Sequence, residues 1–240
     1  MCSETPAAVA QFSLFKTGVY QCNTVVATDP EAQACFVIDP GGDADVLLKK
    51  VAATGFPLKA IYITHAHFDH ILAAETLREA TGAKVYLQHN DVFLWKMVHE
   101  QCRLFNVPPP LQAVFADTDA SFEHEQPLLA GGKVLRTPGH TPGSVCFYFA
   151  GVGAEQLWIE DKGLGFTNLK ADAGLLVSGD TLFRRGVGRT DLWQGDSTQL
   201  GKSIKQRLYT LPADPWVLPG HGLMTTLEQE RQHNPYVTAK

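Results

Sequence analysis

The heptapeptide THAHFDH, residues 64–70, places three imidazoles and a carboxylate within seven positions of a 240-residue chain that has nine histidines in all. Imidazole nitrogen and carboxylate oxygen together suit Zn, Fe or Mn better than Ca or Mg. His65 and His67 stand two apart and Asp69 and His70 follow, a spacing that fits two groups of ligands rather than one ring. Three further stretches carry ligand types on stiff or glycine-permissive turns: TPGHTPGS at 137–144 with His140, SGDTLF at 178–183 with Asp180, and LPGHG at 218–222 with His221. Any one alone reads as an ordinary turn. Together, His65, His67, Asp69, His70, His140, Asp180 and His221, at the ends of four apolar runs, read as a metal site. His89, His99, His124 and His233 lack such a setting and are expected to be structural or solvated.

Turns of this kind need rigid elements to aim them. Short apolar runs bounded by Gly, Pro, Asn and Asp predict strands over Val19–Ala27, Ala34–Ile38, Leu58–Ile63 and Lys84–Gln88. In the second half they predict strands over Lys133–Thr137, Ser144–Phe149, Gln156–Glu160, Leu175–Ser178 and Trp216–Leu218. Three- and four-residue apolar spacing predicts helices over Asp43–Ala53, Ile71–Thr81, Asn90–Phe105 (with Asn90 as N-cap), Ser197–Tyr209 and from about Thr225. Strands and helices mix without strict βαβ alternation, so a sheet-on-sheet core with helices outside is expected. The glycine-rich stretch 151–174 reads as an insertion forming a hairpin or flap. The remaining 1–240 reads as a single domain.

Composition narrows the partners. A net charge of −5 and dispersed Lys and Arg, apart from Arg184, Arg185 and Arg189, give no footprint for nucleic acid. No run reaches the roughly 18 apolar residues of a membrane span, and the N-terminus lacks a basic segment followed by an apolar one. A cytoplasmic protein, free of membrane and nucleic-acid partners, monomeric or homodimeric, is expected. Five scattered cysteines fit neither a disulfide framework nor a CxxC site, and are read as reduced, mostly buried thiols.

The ordered set HAHFDH, His140, Asp180 and His221 resembles the metallo-β-lactamase fold superfamily over essentially the whole chain. Within it, TPGHTPGS, SGDTLFRRGVGRTDL and LPGHGLMTTLEQERQHNPY look like the short glyoxalase II-like branch, the hydroxyacylglutathione hydrolases and their relatives. The resemblance implies an α/β (α+β) fold, a four-layer αββα sandwich with two metals at one edge between the sheets. It implies that His65, His67 and His140 hold one metal and Asp69, His70 and His221 the other, with Asp180 bridging. Two divalent ions, Zn first and Fe or Mn as alternatives, would then bind a bridging hydroxide. Two such ions outweigh the two aspartates and the hydroxide, so an anionic or carbonyl-bearing substrate is favoured.

The implied reaction is hydrolysis of a thioester such as S-D-lactoylglutathione, whose thiolate leaves with little proton assistance, with Asp69 and Asp180 as catalytic carboxylates. Glyoxalase II proper carries a C-terminal helical glutathione-binding domain, and about eighteen residues after Gly222 do not form one. Recognition of a thiol carrier is therefore expected from Arg184, Arg185, Arg189 and the insertion. A second class of the same fold, a persulfide dioxygenase, would use one Fe(II) held by His65, His140 and Asp180. The LPGHG motif, with its second-site histidine, favours the hydrolase. Nucleic-acid-processing members are larger, and a secreted β-lactamase is not expected without a secretion signal. A non-catalytic binding module is disfavoured because no ligand-type position is lost.

Overall fold

A computed structural model describes residues 9–112, 115–160, 164 and 173–238. Two sheets face each other. The first contains β1 (Phe12–Thr17), β2 (Cys22–Asp29), β3 (Ala34–Ile38), β4 (Leu58–Tyr62), β5 (Lys84–Tyr86) and β8 (Leu157–Ile159), in the order β5-β4-β3-β2-β1-β8. The second contains β6 (Gly132–Arg136), β7 (Val145–Phe149), β9 (Leu175–Gly179), β12 (Trp216–Pro219) and β13 (Thr225–Thr226), in the order β13-β12-β9-β7-β6. A two-stranded ribbon, β10 (Leu182–Phe183) with β11 (Gly186–Val187), hangs off the second sheet.

Helices cover both outer faces, which gives the four-layer αββα sandwich expected from the sequence. Against the first sheet lie α1 (Ala44–Ala53), α2 (Phe68–Ile71), α3 (Ala74–Thr81), α4 (Val92–Lys96) and α5 (Val98–Leu104), through a cluster that includes Leu47, Ile61 and Trp95. Against the second lie α6 (Ser197–Ser203) and α7 (Leu227–His233), through Leu176, Leu200, Ile204 and Val217. Between the sheets sits a largely aromatic layer of Phe12, Phe36, Tyr62, Phe122, Phe147, Phe149 and Trp216. Sheets buried on both faces explain why ACFVI, VCFYF and LLVSG read as continuous apolar runs rather than alternations.

Strand direction determines where chemistry can occur. β3, β4 and β5 run parallel, as do β9 and β12, and β6 shares the direction of β9 because each is antiparallel to β7. The C-terminal ends of both parallel groups therefore open on one edge of the sandwich, where the turns after β4, β6, β9 and β12 carry the ligand-type residues.

Several boundaries differ from the sequence reading. The strand expected over Val19–Ala27 begins at Cys22, because Gly18–Gln21 forms a tight turn with Gly18 and Gln21 at positive φ; its hairpin partner β1 was not expected. The helix expected over Asn90–Phe105 is a 3-10 turn at His89–Asp91 followed by α4 and α5, broken at Met97, and Gln88 rather than Asn90 supplies the capping side chain. The helix expected over Ile71–Thr81 starts earlier, as α2, and breaks before Ala74. The helix over Ser197–Tyr209 widens into a π-turn at Ile204–Leu208. Of the expected insertion, residues 161–163 and 165–172 lie outside the described residues. Its described part is no hairpin: β8 adds in parallel to the edge of β1, and Glu160 pairs with Lys50 at 2.5 Å. Cys22, Cys35, Cys102 and Cys146 are free and buried, as expected, and Cys2 lies outside the described residues. No described helix is long and apolar enough to cross a membrane.

Trp216 is fully buried between the sheets on the strand that leads to His221. Trp216→Ala is expected to lower the unfolding free energy by about 3–5 kcal/mol in a denaturant titration. A loss below about 1 kcal/mol would show that the inter-sheet layer is not packed around it.

Candidate metal centre

The turn after β4 presents His65 and His67, and α2, which His67 precedes, presents Asp69 and His70. His140 follows β6, Asp180 follows β9 and His221 follows β12. All seven ligand-type residues singled out in the sequence meet at this edge, six of them in two trios with Asp180 between.

In the first trio, His65 Nε2 lies 3.1 Å from His67 Nδ1, and His140 Nε2 lies 3.2 Å and 2.9 Å from those two atoms. The far nitrogens of two of the rings are tied to oxygen. His140 Nδ1 donates to the Arg189 carbonyl at 2.7 Å. Thr64 Oγ1 spends its proton on Asp39, so at 3.1 Å it accepts from His65 Nδ1. Both Nε2 atoms thus aim lone pairs into the triangle, and lone pairs cannot bond one another. A tetrahedral ion with Zn–N bonds near 2.05 Å sets nitrogens about 3.3 Å apart, close to the spacing found. Burial, reinforced by the neighbouring imidazoles, holds His65 well below the ordinary range, brings His67 down to about 3 and lowers His140. The rings are therefore neutral near pH 7, the form that ligates.

The second trio is more acidic. His221 Nε2 lies 2.9 Å from Asp69 Oδ2, and His70 Nε2 lies 4.0 Å from the same oxygen. Asp180 stands between the trios. Its Oδ1 is 3.4 Å from His70 and 3.9 Å from His221, while its Oδ2 is 3.7 Å from His140. Burial opposes ionisation of Asp180 and Asp69, but the surrounding imidazoles, His70 foremost, outweigh it and keep both carboxyls below their ordinary range. Burial likewise works against charge on His70 and His221, and the acidic neighbours outweigh it and raise both. His67 Nε2, His70 Nε2 and Asp180 Oδ1 are buried with no hydrogen-bond partner. Gly220 completes the fit: a Cβ there would collide with Asp180 Oδ1 and His70, so only glycine leaves room for both. Neutral nitrogens in the first trio, ionised carboxylates, and the orphaned His70 Nε2 and Asp180 Oδ1 make a donor set suited to divalent cations.

A family model for the metallo-β-lactamase superfamily matches residues 17–154. Hydroxyacylglutathione hydrolase GloC of Haemophilus influenzae is 34% identical over 92% of this chain and 95% of its own. The chain belongs to the metallo-β-lactamase superfamily. Among solved structures, the BLEG-1 B3 metallo-β-lactamase superposes with a TM-score of 0.75 at 32% identity, covering 95% of this chain and all of that one. TTHA1623, solved in a di-iron-bound form, superposes with a TM-score of 0.73 at 34% identity, covering 93% and 99%. At the coarse level, this is a metal-dependent hydrolase of that superfamily.

Other residues that hold this superfamily site together carry no motif. Asp39, after β3, is fully buried and accepts from Thr64 N at 2.7 Å, Thr64 Oγ1 at 2.6 Å and His70 Nδ1 at 2.9 Å. Cys22 lies 3.5 Å from the same His70 nitrogen, and burial pushes its thiol up to about 12. Asp91 joins the two histidine loops, accepting from Ala66 N at 3.0 Å, Thr141 Oγ1 at 2.7 Å and Gly143 N at 2.6 Å. Its burial pushes the carboxyl up to about 6 against the pull of those donors. Gln101, on α5, accepts from Phe68 N and donates to the Ala66 carbonyl. The signal that could have found Asp91 and Gln101 was a polar residue on the buried side of an apolar segment.

The arginines divide. Arg184 and Arg185 sit in the tight turn of the β10–β11 ribbon, exposed, and do not line the cleft over the trios. The Arg185 backbone N–H donates to Glu230, which draws this turn toward α7. Arg189 lines the cleft, and its guanidinium makes two bonds to Asp191, at 2.7 and 2.9 Å. His89 and His124 bond side chains remote from the centre, to Gln88 and Arg207.

Asp39→Asn sets an amide N–H against donors. It is expected to weaken Zn²⁺ binding about 10–100-fold in a chelator competition, with the circular-dichroism spectrum retained. Affinity within about twofold of wild type would show that Asp39 does not orient His70. Asp91→Ala strands three buried donors and is expected to cost about 3 kcal/mol or more in denaturant unfolding. A cost under about 1 kcal/mol would remove its role as the clip between loops.

Proposed function

We propose that the protein is a dinuclear metallo-hydrolase that cleaves thioesters, S-D-lactoylglutathione among the first to test. The division of the Asp180 oxygens between the two trios carries this reading. His65, His67 and His140 would hold one ion, Asp69, His70 and His221 the second, and Asp180 both. Zn is the first choice for this nitrogen and oxygen set, with Fe or Mn as alternatives. Two such ions supply a Lewis acid and lower the pKa of a bound water to near neutrality.

The chain's own groups supply the remaining steps. Asp69 and His221 line the cleft, so the Asp69 carboxylate, held ionised, orients a water and accepts its proton. Arg189 fixes His140 through its carbonyl and presents its side chain at the cleft mouth. A thiolate leaves without a strong general acid, which matches a cleft whose lining, among the described residues, holds no lysine and no tyrosine besides Tyr20. The name and coverage of the Haemophilus relative support the thioester. The completed second trio, with His221 2.9 Å from Asp69, favours two ions over the single Fe(II) of a persulfide dioxygenase.

The deciding measurement is metal content by plasma emission on protein purified without added metal, paired with S-D-lactoylglutathione hydrolysis on the same sample. About two ions per chain with hydrolysis is the expected result. One iron per chain with oxygen uptake on glutathione persulfide would establish the dioxygenase. A β-lactam belongs in the same panel because of the solved B3 neighbour. Asp69→Ala is expected to halve the metal content and lower turnover by orders of magnitude; full activity with one ion would overturn the dinuclear reading.

A further inference from the structure

The floor of the cleft is polar, and one wall is not. Tyr20, from the β1–β2 turn, stands edge-on to Phe68 of α2 with centroids 5.2 Å apart. Phe68 stacks on Phe105, just after α5, at 5.3 Å, and Phe105 meets Trp193 at 5.9 Å. Trp193 returns to the metal centre, 5.2 Å from the His67 ring. Four segments distant in sequence thus build one aromatic arc that begins and ends beside the ligand-type residues. All four rings line the same cleft.

The backbone is strained to hold this arc. Trp193 and Gln194 both have positive φ, 36° and 68°, a conformation unfavourable to bulky side chains. Trp193 is nevertheless only half-buried, which leaves indole surface facing the cleft. Trp193 packs part of its ring against the first core cluster and Phe105, and the part left uncovered faces the cleft, where it can pack against something bound.

Charge points the same way. Among the described residues that line the cleft outside the two trios, Arg189 is the single cation, and Asp191 holds it on both sides. Among the described residues lining the cleft, a carboxylate of a glutathione carrier meets no cation other than Arg189. The cleft is about 200 Å³, below the range of about 300–1,000 Å³ for pockets that enclose a whole ligand. It accommodates the group next to the scissile bond rather than a peptide carrier.

We propose that this cleft selects thioesters bearing an aryl or branched apolar group within a few bonds of the scissile carbonyl, with Trp193 and Phe105 as the specificity-determining residues. The inference rests on the thioester reading above and narrows its substrate class. An apolar surface packed on an apolar ring is released from water, and the difference between a phenyl and a hydrogen there is worth at least about tenfold in discrimination.

The test compares the metal-loaded protein on acetyl- and phenylacetyl-N-acetylcysteamine, S-benzyl thioacetate and S-D-lactoylglutathione, with the thioether S-benzyl-N-acetylcysteamine as a non-hydrolysable probe of binding. The phenylacetyl compound is expected to exceed the acetyl compound at least about tenfold in kcat/KM. S-benzyl thioacetate tells whether the apolar group is read from the acyl or the thiol side. Trp193→Ala is expected to collapse that ratio toward one, chiefly through KM, while Trp193→Phe retains most of it. Phe105→Ala repeats the test should Trp193→Ala lower the Tm. Equal rates on acetyl-N-acetylcysteamine, phenylacetyl-N-acetylcysteamine and S-benzyl thioacetate, or a preference for S-D-lactoylglutathione that Trp193→Ala leaves in place, would overturn the cleft assignment and leave the thioester reading standing. Binding of the thioether that depends on Trp193, without cleavage of any thioester, would support the cleft and overturn the thioester reading.

Discussion

Buried groups that cannot satisfy one another govern this structure. The lone pairs of His65, His67 and His140 meet within 3.2 Å, and Asp39, Asp69 and Asp180 crowd around His70 in the same interior. Hydrogen bonds resolve both groups only in part, since the far nitrogens of His65 and His140 already act as donors and a single proton on His67 Nδ1 is the most the first group can share. Removing such groups from water costs several kcal/mol each unless a compensating charge is present. Divalent cations, which this superfamily binds, reconcile the arrangement, and the protein scaffold must keep the rings in place without them.

The sandwich meets that demand through strand direction. Parallel neighbours deliver successive C-terminal ends to one edge, so turns far apart in sequence become adjacent without long connections. Strand ends alone would leave the side chains free to rotate away. Outer partners remove that freedom: Asp39 and Thr64 orient His70 and His65, and the Arg189 carbonyl orients His140. Asp91 and Gln101 act one step further out, on backbone rather than rings, and tie the two histidine loops to each other and to α5.

This hierarchy explains what could be read in the sequence. His65, His67, Asp69 and His70 are rare types in a short span, and His140, Asp180 and His221 sit on recognisable turns, so their chemistry was legible before any fold was known. A sheet-on-sheet core with helices outside was legible because strands and helices mix without strict βαβ alternation, and the αββα layering itself came from the family resemblance. Asp91 was hidden inside a segment whose periodicity suggested one helix; its partners lie 25 to 52 residues away, and nothing local marks them. Met97 breaks that segment where the chain bends so that Asp91 reaches both histidine loops while Gln101 also bonds the first of them, a tertiary demand that overrides helix propensity. The placement of Arg184 and Arg185 was not legible in the sequence: a cationic pair suggests anion binding, and only the fold shows that a two-residue turn projects it into solvent, outside the cleft lining.

The loop 188–196 couples the centre to its cleft. At one end, Gly188 has no room for a Cβ because the Asp180 carbonyl and His140 occupy that space, and the next residue's carbonyl fixes the His140 tautomer. At the other end, the Asp196 N–H donates to the Gly139 carbonyl at 2.7 Å, and the Asp196 side chain caps α6. Both anchors fall on His140 or its neighbour, so the span between them cannot lengthen or shift without moving that ring. Trp193 lies within this short, doubly tethered span, and its positive φ follows from fitting a bulky residue into a path set by its ends. The tethers that hold a metal-ligand type in place thereby also fix the apolar wall beside it. A change in the wall made by backbone rearrangement would disturb His140, whereas a change made by side-chain replacement at Trp193 need not. Variation in what this scaffold accepts is therefore physically easiest at the side chains of this loop and of Phe105, with the loop's path held constant.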